Sequence, residues 1–167
     1  VSLHGMTAEV SDAVTEAPGT FEKTVAGLDA LARSNLAVTL NFVLCRRNYE
    51  SFPAFVDWAH ARWPRAVLNV SFVASSTDVV PRARDLVPSY AEVMPVLAEA
   101  FRRAAALEIR LEGLEAMCGV PLCLVPTDLA RFVDIVTVPP GFDAGEFVRA
   151  EACRDCALQQ KCFGIRR

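Results

Sequence analysis

The sequence lacks an excess of positive charge. Its 167 residues include 17 lysines and arginines against 20 aspartates and glutamates, for a net charge of −3. Binding to a phosphate backbone needs Lys and Arg in excess and clustered on one face. We therefore expect no nucleic-acid partner.

The sequence also lacks a long apolar run. No stretch approaches the roughly 20 apolar residues that a membrane-spanning helix needs, and the N-terminus has neither the basic segment nor the apolar stretch of a signal peptide. We expect no membrane partner and a soluble, cytoplasmic protein. The chain opens with VSLHG, which is typical of a strand in mid-protein, so we expect a piece of a longer protein.

What the sequence does contain is an alternation of strands and helices. Three helices are predicted: one from about Thr20 with that residue as N-cap, one from Ser51 to near Pro64, and one whose Ser89 and Glu92 have capping-box spacing. Pro95 leaves Met94 as an alternative start of the third helix. The predicted strands are VSLHG, LAVTLNFVLC, AVLNVSFVA and EIRLE. This alternation predicts parallel β/α units.

The strands predict one apolar face and one mixed face, because alternate residues point to opposite sides. Thr39, Asn41, Val43 and Cys45 share one side of their strand, and Asn69 and Ser71 share that side of the next; Ser2 and His4 do so in the first strand. Strands of an open α/β sheet are apolar on both sides. We infer outer helices and an inner binding cavity, although edge exposure or buried structural hydrogen bonds also produce polar positions. Long unpaired edges are avoided in native proteins, so further strands or a partner chain are implied.

Cysteines crowd the end of the chain. Cys153, Cys156 and Cys162 form C-x2-C-x5-C, and Cys123 is the predicted fourth ligand, with Cys118 as its alternative. Such thiols in a cytosolic protein favour metal over disulfides. Zinc and iron–sulfur clusters both take four thiolates, and the irregular spacing favours a cluster over zinc. Cys45 and Cys118 are most simply buried small apolar residues.

Taken together, the segments VSLHGMT, PGTF, VTLNFVLCRRN and NVSFVASS resemble the second half of the partial barrel of radical S-adenosylmethionine (radical SAM) enzymes. The terminal C-x2-C-x5-C followed by FG, with PLC upstream, is similar to the auxiliary-cluster region of their SPASM/twitch members. The resemblance implies a partial (β/α) TIM-like barrel half over residues 1–112 and a cysteine-rich extension over 113–167 that binds an auxiliary 4Fe-4S cluster.

The resemblance also implies contacts to S-adenosylmethionine (SAM). Ser2 and Asn41 match polar strand positions that contact the methionyl end of SAM in several relatives. Thr39 stands where some relatives carry Lys, and Val43 is placed to pack on the adenine. Ordinary hydrogen bonding inside a barrel is the alternative for the polar residues. His4 fits an interior hydrogen bond better than substrate contact, and His60 is expected at the surface.

The chain departs from the family in having no C-x3-C-x2-C motif for the catalytic cluster. As the C-terminal part of a radical SAM enzyme, it would be inactive alone. The full enzyme would add the N-terminal half-barrel, SAM and a second 4Fe-4S cluster, and would modify a peptide or small-molecule substrate. The alternative is a non-catalytic α/β binding module stabilised by zinc.

Overall fold

The protein has a mixed α/β fold in the computed structural model, which describes residues 1–73, 83–113, 120–132 and 147–166. The helices are α1 Ala8–Thr15, α2 Thr20–Ala32, α3 Phe52–Arg62, α4 Ala83–Leu86 and α5 Tyr90–Ala106. The strands are β1 Thr39–Leu44, β2 Val67–Phe72, β3 Leu111–Glu112, β4 Phe147–Val148 and β5 Ile165–Arg166. Within these ranges, no helix is long and apolar enough to cross a membrane.

The main sheet is parallel and follows chain order. Strand β1 pairs with β2 along its whole length, and β2 pairs with β3 through Leu68 opposite Leu111 and Asn69 opposite Glu112. The predicted first strand is reduced to one parallel bridge between Ser2 and Asn41. The predicted parallel β/α arrangement is confirmed. Strands in this order occur both in a barrel segment and in an open sheet.

The two faces of the sheet differ as the alternation predicts. Residues Leu40, Phe42 and Leu44 are buried, while their neighbours in β1 are exposed or half-buried, and β2 repeats the pattern. The ring of Phe42 lies 4.7 Å from that of Phe52 and 4.6 Å from that of Phe55, both at the start of α3. Burying a Phe side chain stabilises a fold by about 2–3 kcal/mol. Helices α2, α3 and α5 contribute to the same buried cluster as this face of the sheet.

Helix α1 lies where no helix was predicted, in the segment after VSLHG. Thr7 is its N-cap, and the Thr7 hydroxyl accepts a hydrogen bond from the Val10 N–H at 3.4 Å. Asp12 of α1 then caps α2: its carboxylate accepts from the N–H of Gly19 at 2.6 Å and of Phe21 at 2.8 Å. The prediction of Thr20 as N-cap was wrong, since Gly19 is the N-cap and Thr20 the first helical residue.

Helices α3 and α5 start where the capping residues predict. Helix α3 begins after Ser51. In α5 the Ser89 hydroxyl accepts from the Glu92 N–H, and the Glu92 carboxylate accepts from the Ser89 N–H at 2.7 Å, which confirms the capping box. The alternative start at Met94 was wrong, because α5 runs through Pro95. A helix-interior proline costs about 3 kcal/mol, which the cap and the buried face of α5 offset.

Candidate metal centre and sheet face

The C-terminal cysteines lie in a loop closed by a small hairpin. Strand β4 pairs antiparallel with β5, and the rings of Phe147 and Phe163 lie 5.5 Å apart beside it. Gly164 enters β5 at a φ of 102°, where a Cβ would sit 2.6 Å from the Val148 carbonyl oxygen. L-residues rarely adopt this φ, so glycine is required for the loop to close.

Backbone turns fix the positions of the three thiols in this loop. The N–H of Cys156 donates to the Cys153 carbonyl at 3.3 Å, and the N–H of Gly164 donates to the Cys162 sulfur at 3.4 Å. The Arg149 guanidinium donates to the Cys162 carbonyl at 3.3 Å and to that of Gln159 at 3.1 Å. Apart from the bond to the Cys162 sulfur, these bonds hold the loop through its main-chain carbonyls.

Cys123 is positioned by the core of the main sheet. It lies in the 3₁₀ turn Leu122–Leu124 and is itself exposed. On either side of this turn, Val120 and Leu129 are buried in the same hydrophobic cluster as the strands. The side chain of Asp128 also pairs with Arg102 of α5 at 2.8 Å. Cys123 is therefore presented at the surface by a segment that is anchored to the sheet.

Four thiols are brought within range of one another's charges. Burial, and then the negative charge of Cys162, Cys153 and Cys156, raises the pKa of the Cys123 thiol. Coulomb interactions weaken with distance, so Cys123 lies within electrostatic range of the three thiols of the C-terminal loop. These four cysteines are the residues predicted as ligands, and all are free thiols. Cys118, the alternative ligand, lies outside the described residues.

The thiols lie farther apart than they would around a single metal ion. In the described ranges, no three His, Cys, Asp or Glu side chains are close enough to hold one metal ion. With zinc–sulfur bonds of about 2.3 Å, four thiolates around one zinc lie about 3.8 Å apart, whereas charges act over greater distances. The two observations are therefore compatible. A set of four thiolates is the ligand set of both 4Fe-4S clusters and structural zinc.

The second candidate site is the face of the main sheet that faces away from the helices. The strand register aligns polar residues there in one row across four chain segments, with Ser2 beside Asn41, Asn41 beside Asn69 and Asn69 beside Glu112. Neighbouring strands lie about 4.8 Å apart, so the row is about 14 Å long. We call these four residues the polar row.

Two asparagines of the polar row and Ser71 are hydrogen-bonded together. The Oδ1 atom of Asn41 accepts from Asn69 Nδ2 at 2.7 Å and from the Ser71 hydroxyl at 3.1 Å. All three residues are half-buried. Asn41 and Asn69 thus hold each other in one orientation. The bonds accepted by Asn41 Oδ1 match the alternative prediction for this residue, which is structural hydrogen bonding.

Ser2 and Thr39 lie on the same face as Asn41 but are not joined to it by side-chain bonds. Both are exposed. Thr39 is the first residue of β1, opposite Val67, and so lies two residues before Asn41 along the strand. The structure therefore brings Ser2 and Asn41 side by side and leaves Thr39 toward the amino end of the sheet.

Val43 and His4 meet at the carboxyl end of β1. The Val43 N–H donates to Nδ1 of His4 at 3.2 Å, and burial lowers the pKa of His4. Because Nδ1 accepts, the neutral ring carries its proton on Nε2. The predicted interior role of His4 is confirmed. The Nδ1 atom of His60, expected at the surface, is buried without a hydrogen-bond partner.

Two residues of these sites, Asn48 and Glu112, were not singled out by the sequence. Asn48 is buried and joins the first segment to β1, since its Nδ2 donates to the carbonyls of His4 and Val43, both at 3.0 Å. Glu112 enters through the strand register, which a single sequence does not reveal. Comparison of the chain with protein-family models, curated proteins and solved structures found no match.

Proposed function

We propose that this chain is the C-terminal part of a radical SAM enzyme of the SPASM/twitch type. In this proposal Cys123, Cys153, Cys156 and Cys162 bind an auxiliary 4Fe-4S cluster, and the polar face of the sheet lines the cavity for SAM and substrate. The observation that carries the proposal is a loop, closed by the β4–β5 hairpin, that holds three cysteines at C-x2-C-x5-C spacing within electrostatic range of Cys123 in a distant turn.

The electrostatics of the thiols favour a bound cation. Burial, and then the neighbouring cysteine charges, raise the pKa of the Cys123 thiol, so the charged form of Cys123 is disfavoured without a cation beside it. A metal centre removes this cost and keeps coordinated thiols deprotonated. The N–H of Gly164 is already directed at the Cys162 sulfur, and hydrogen bonds to sulfur are one of the means by which proteins tune iron–sulfur potentials.

A cluster with four cysteine ligands would have no open iron for substrate and would serve electron transfer or a structural role. The chain's own residues would hold that cluster, position SAM and substrate, and exclude water. Ser2 and Asn41 would contact the methionyl end of SAM, Val43 would pack on the adenine, and Thr39 would line the same surface. The N-terminal half of the barrel would be the partner that covers this face.

The sheet supports the proposal independently of the cysteines. Helices α2, α3 and α5 bury one face of the sheet, and the opposite face carries polar residues among half-buried valines such as Val43 and Val67. Ligand sites commonly combine an apolar lining with a few placed polar groups. A parallel sheet of this kind supplies one wall of a barrel cavity.

Metal and sulfide analysis of protein purified without oxygen tests the proposal. We expect about four irons and four sulfides per chain and broad visible absorption, all lost in Cys153→Ala. Cys45→Ala is the matched control, because Cys45 is a buried cysteine outside the set of four, and it should retain the iron. One zinc per chain without visible absorption would contradict the proposal and favour the zinc-stabilised binding module.

A further inference from the structure

A cavity lies where α2 ends, against the turn that joins α3 to β2. Its volume is about 160 Å³ and its lining is mainly apolar. An apolar cavity of about 150 Å³ is large enough to hold a benzene ring. The described residues that line it belong neither to the polar row nor to the set of four cysteines, so it is separate from both sites above. One wall includes Leu28, Ala32 and Leu36, and the other includes Trp63, Pro64 and Ala66.

Hydrogen bonds tie the two walls of the cavity together. The Asp29 carboxylate of α2 accepts from the Trp63 indole N–H at 2.9 Å and from the Arg62 guanidinium at 2.7 and 2.9 Å. The Val67 N–H donates to the Val38 carbonyl at 2.9 Å and joins the walls a second time. A site whose walls are already fixed loses less conformational entropy when a ligand binds. The cavity is therefore preorganised.

Arg65 brings a guanidinium to this cavity. It is one of the lining residues, and its Nη2 atom donates to the Ala32 and Ser34 carbonyls at the end of α2, at 2.8 and 2.6 Å. A guanidinium has five N–H donors, so these two bonds leave three. Within the described ranges no carboxylate pairs with Arg65, whereas Arg62 is paired with Asp29.

The charges around the cavity favour an anion. The side chain of Arg62 and, more weakly, the charge of Arg33 lower the pKa of the Asp29 carboxyl to about 2, so Asp29 stays ionised. With Arg65, the segments that form the walls carry three cations and one carboxylate, a local charge of +2, although the net charge of the chain is −3. A guanidinium binds carboxylates and phosphates well. A single lining guanidinium without a carboxylate partner matches the one charge of a carboxylate better than the nearly double charge of a phosphate ester.

We propose that this cavity binds a small carboxylic acid whose apolar body is about the size of a phenyl ring. The ring occupies the space between the two walls, and the carboxylate accepts hydrogen bonds from Arg65. Leu36 is 65% exposed, and the ring covers part of its surface, which favours binding. This site lies outside the proposed enzyme function and uses none of its residues.

An NMR titration of the full chain, labelled with nitrogen-15, tests the proposal with phenylacetate. The chain has two tryptophans; Trp63 lines the cavity and Trp58 lies 5.1 Å from it, so the Trp63 indole N–H reports on the cavity and Trp58→Phe assigns its signal. 2-Phenylethanol has nearly the same shape without the charge, and 2-phenylethylamine reverses the charge. We expect saturable shifts with phenylacetate, binding of 2-phenylethanol weaker by about tenfold, and still weaker binding of the amine.

Three variants separate charge recognition from packing. Arg65→Gln removes the cation and should weaken phenylacetate binding by about tenfold while leaving 2-phenylethanol binding unchanged. Equal weakening of both ligands would give Arg65 a purely structural role and overturn the proposed recognition. Lys23→Gln, the matched control, removes one cation nearer the start of α2 and should bind as the parent does. Ala32→Leu places three more carbon atoms at a half-buried position of the lining and should abolish binding of both ligands.

Three further results would overturn the proposal: no saturable shift of the Trp63 signal, equal binding of phenylacetate and 2-phenylethanol, or unchanged binding to Ala32→Leu. A Trp63 signal that shifts with protein concentration and not with phenylacetate would assign the cavity to a second copy of the chain and would also overturn it. Backbone spectra of all variants check that the sheet remains folded.

Discussion

The main sheet and the C-terminal hairpin are stabilised in different ways. The sheet buries a continuous apolar face in which Phe42, Phe52 and Phe55 are fully covered. The hairpin has two residues in each strand, and its loop is held by backbone turns and by the Arg149 side chain. A short hairpin is at best marginally stable alone. The comparison indicates that the sheet is stabilised by burial, whereas the cysteine loop is stabilised by local backbone geometry.

The largest difference between the two regions is expected when one aromatic side chain is truncated in each. We expect Phe42→Ala to lower the free energy of unfolding by about 3–5 kcal/mol, because it empties the centre of the core. Phe163→Ala, beside the hairpin, should lower it by about 1 kcal/mol or less, since Phe163 is only half-buried. Urea denaturation followed by circular dichroism measures both, and equal losses would contradict the distinction.

Three glycine-to-alanine substitutions sharpen the comparison. Gly113 follows β3 at a φ of 113°, and a Cβ there would collide with the Val70 backbone, so Gly113→Ala should destabilise the sheet by about 3 kcal/mol or more. Gly164→Ala should cost about 1–3 kcal/mol, confined to the hairpin. Gly27 in α2 has no atom near its added Cβ, so Gly27→Ala should stabilise the protein by about 0.5–1 kcal/mol. Thermal melts would show this order. An unchanged melting temperature in Gly113→Ala would contradict the close approach of residue 113 to the Val70 backbone.

Low pH should lower the stability of the protein by a smaller amount, through Glu92 at the start of α5. Hydrogen bonds from the Arg46 and Ser89 side chains and from the Ser89 N–H lower the pKa of Glu92 to about 2. Because this pKa is lowered on folding, the stabilisation is complete above the usual value of about 4.5 and is lost as the pH falls toward about 2. Glu92→Gln should flatten the stability profile in this window. Denaturation midpoints from pH 6 to about 2 measure it, and parallel profiles for both proteins would contradict it.

The features of the main sheet and its helices that depend on neighbouring residues could be predicted from the sequence. Alternating burial in β1 and β2 and the Ser89 capping box follow from neighbouring residues, and the structure confirms them. The cap of α2 comes from Asp12, nine residues before Phe21, so no local pattern reveals it. Pro95 was tolerated because buried tertiary contacts of α5 outweigh a local cost.

The candidate sites were predictable in composition but not in arrangement. The C-x2-C-x5-C spacing pointed to a metal, and Cys123 was chosen as fourth ligand on sequence position alone; its neighbourhood with the other three thiols is a tertiary property. Asn41 and Asn69 were placed on one face by strand alternation. Their pairing with Ser71 and their alignment with Glu112 required the strand register, which a pattern in one strand does not contain.

The most direct test of the central claim is the iron content of two cysteine variants purified without oxygen, Cys123→Ala and Cys118→Ala. The claim is that one turn anchored to the sheet completes a four-thiolate cluster site in the C-terminal loop. It predicts that Cys123→Ala loses most of its iron and visible absorption, while Cys118→Ala keeps the parent value of about four irons per chain. Full iron content in Cys123→Ala would contradict the account.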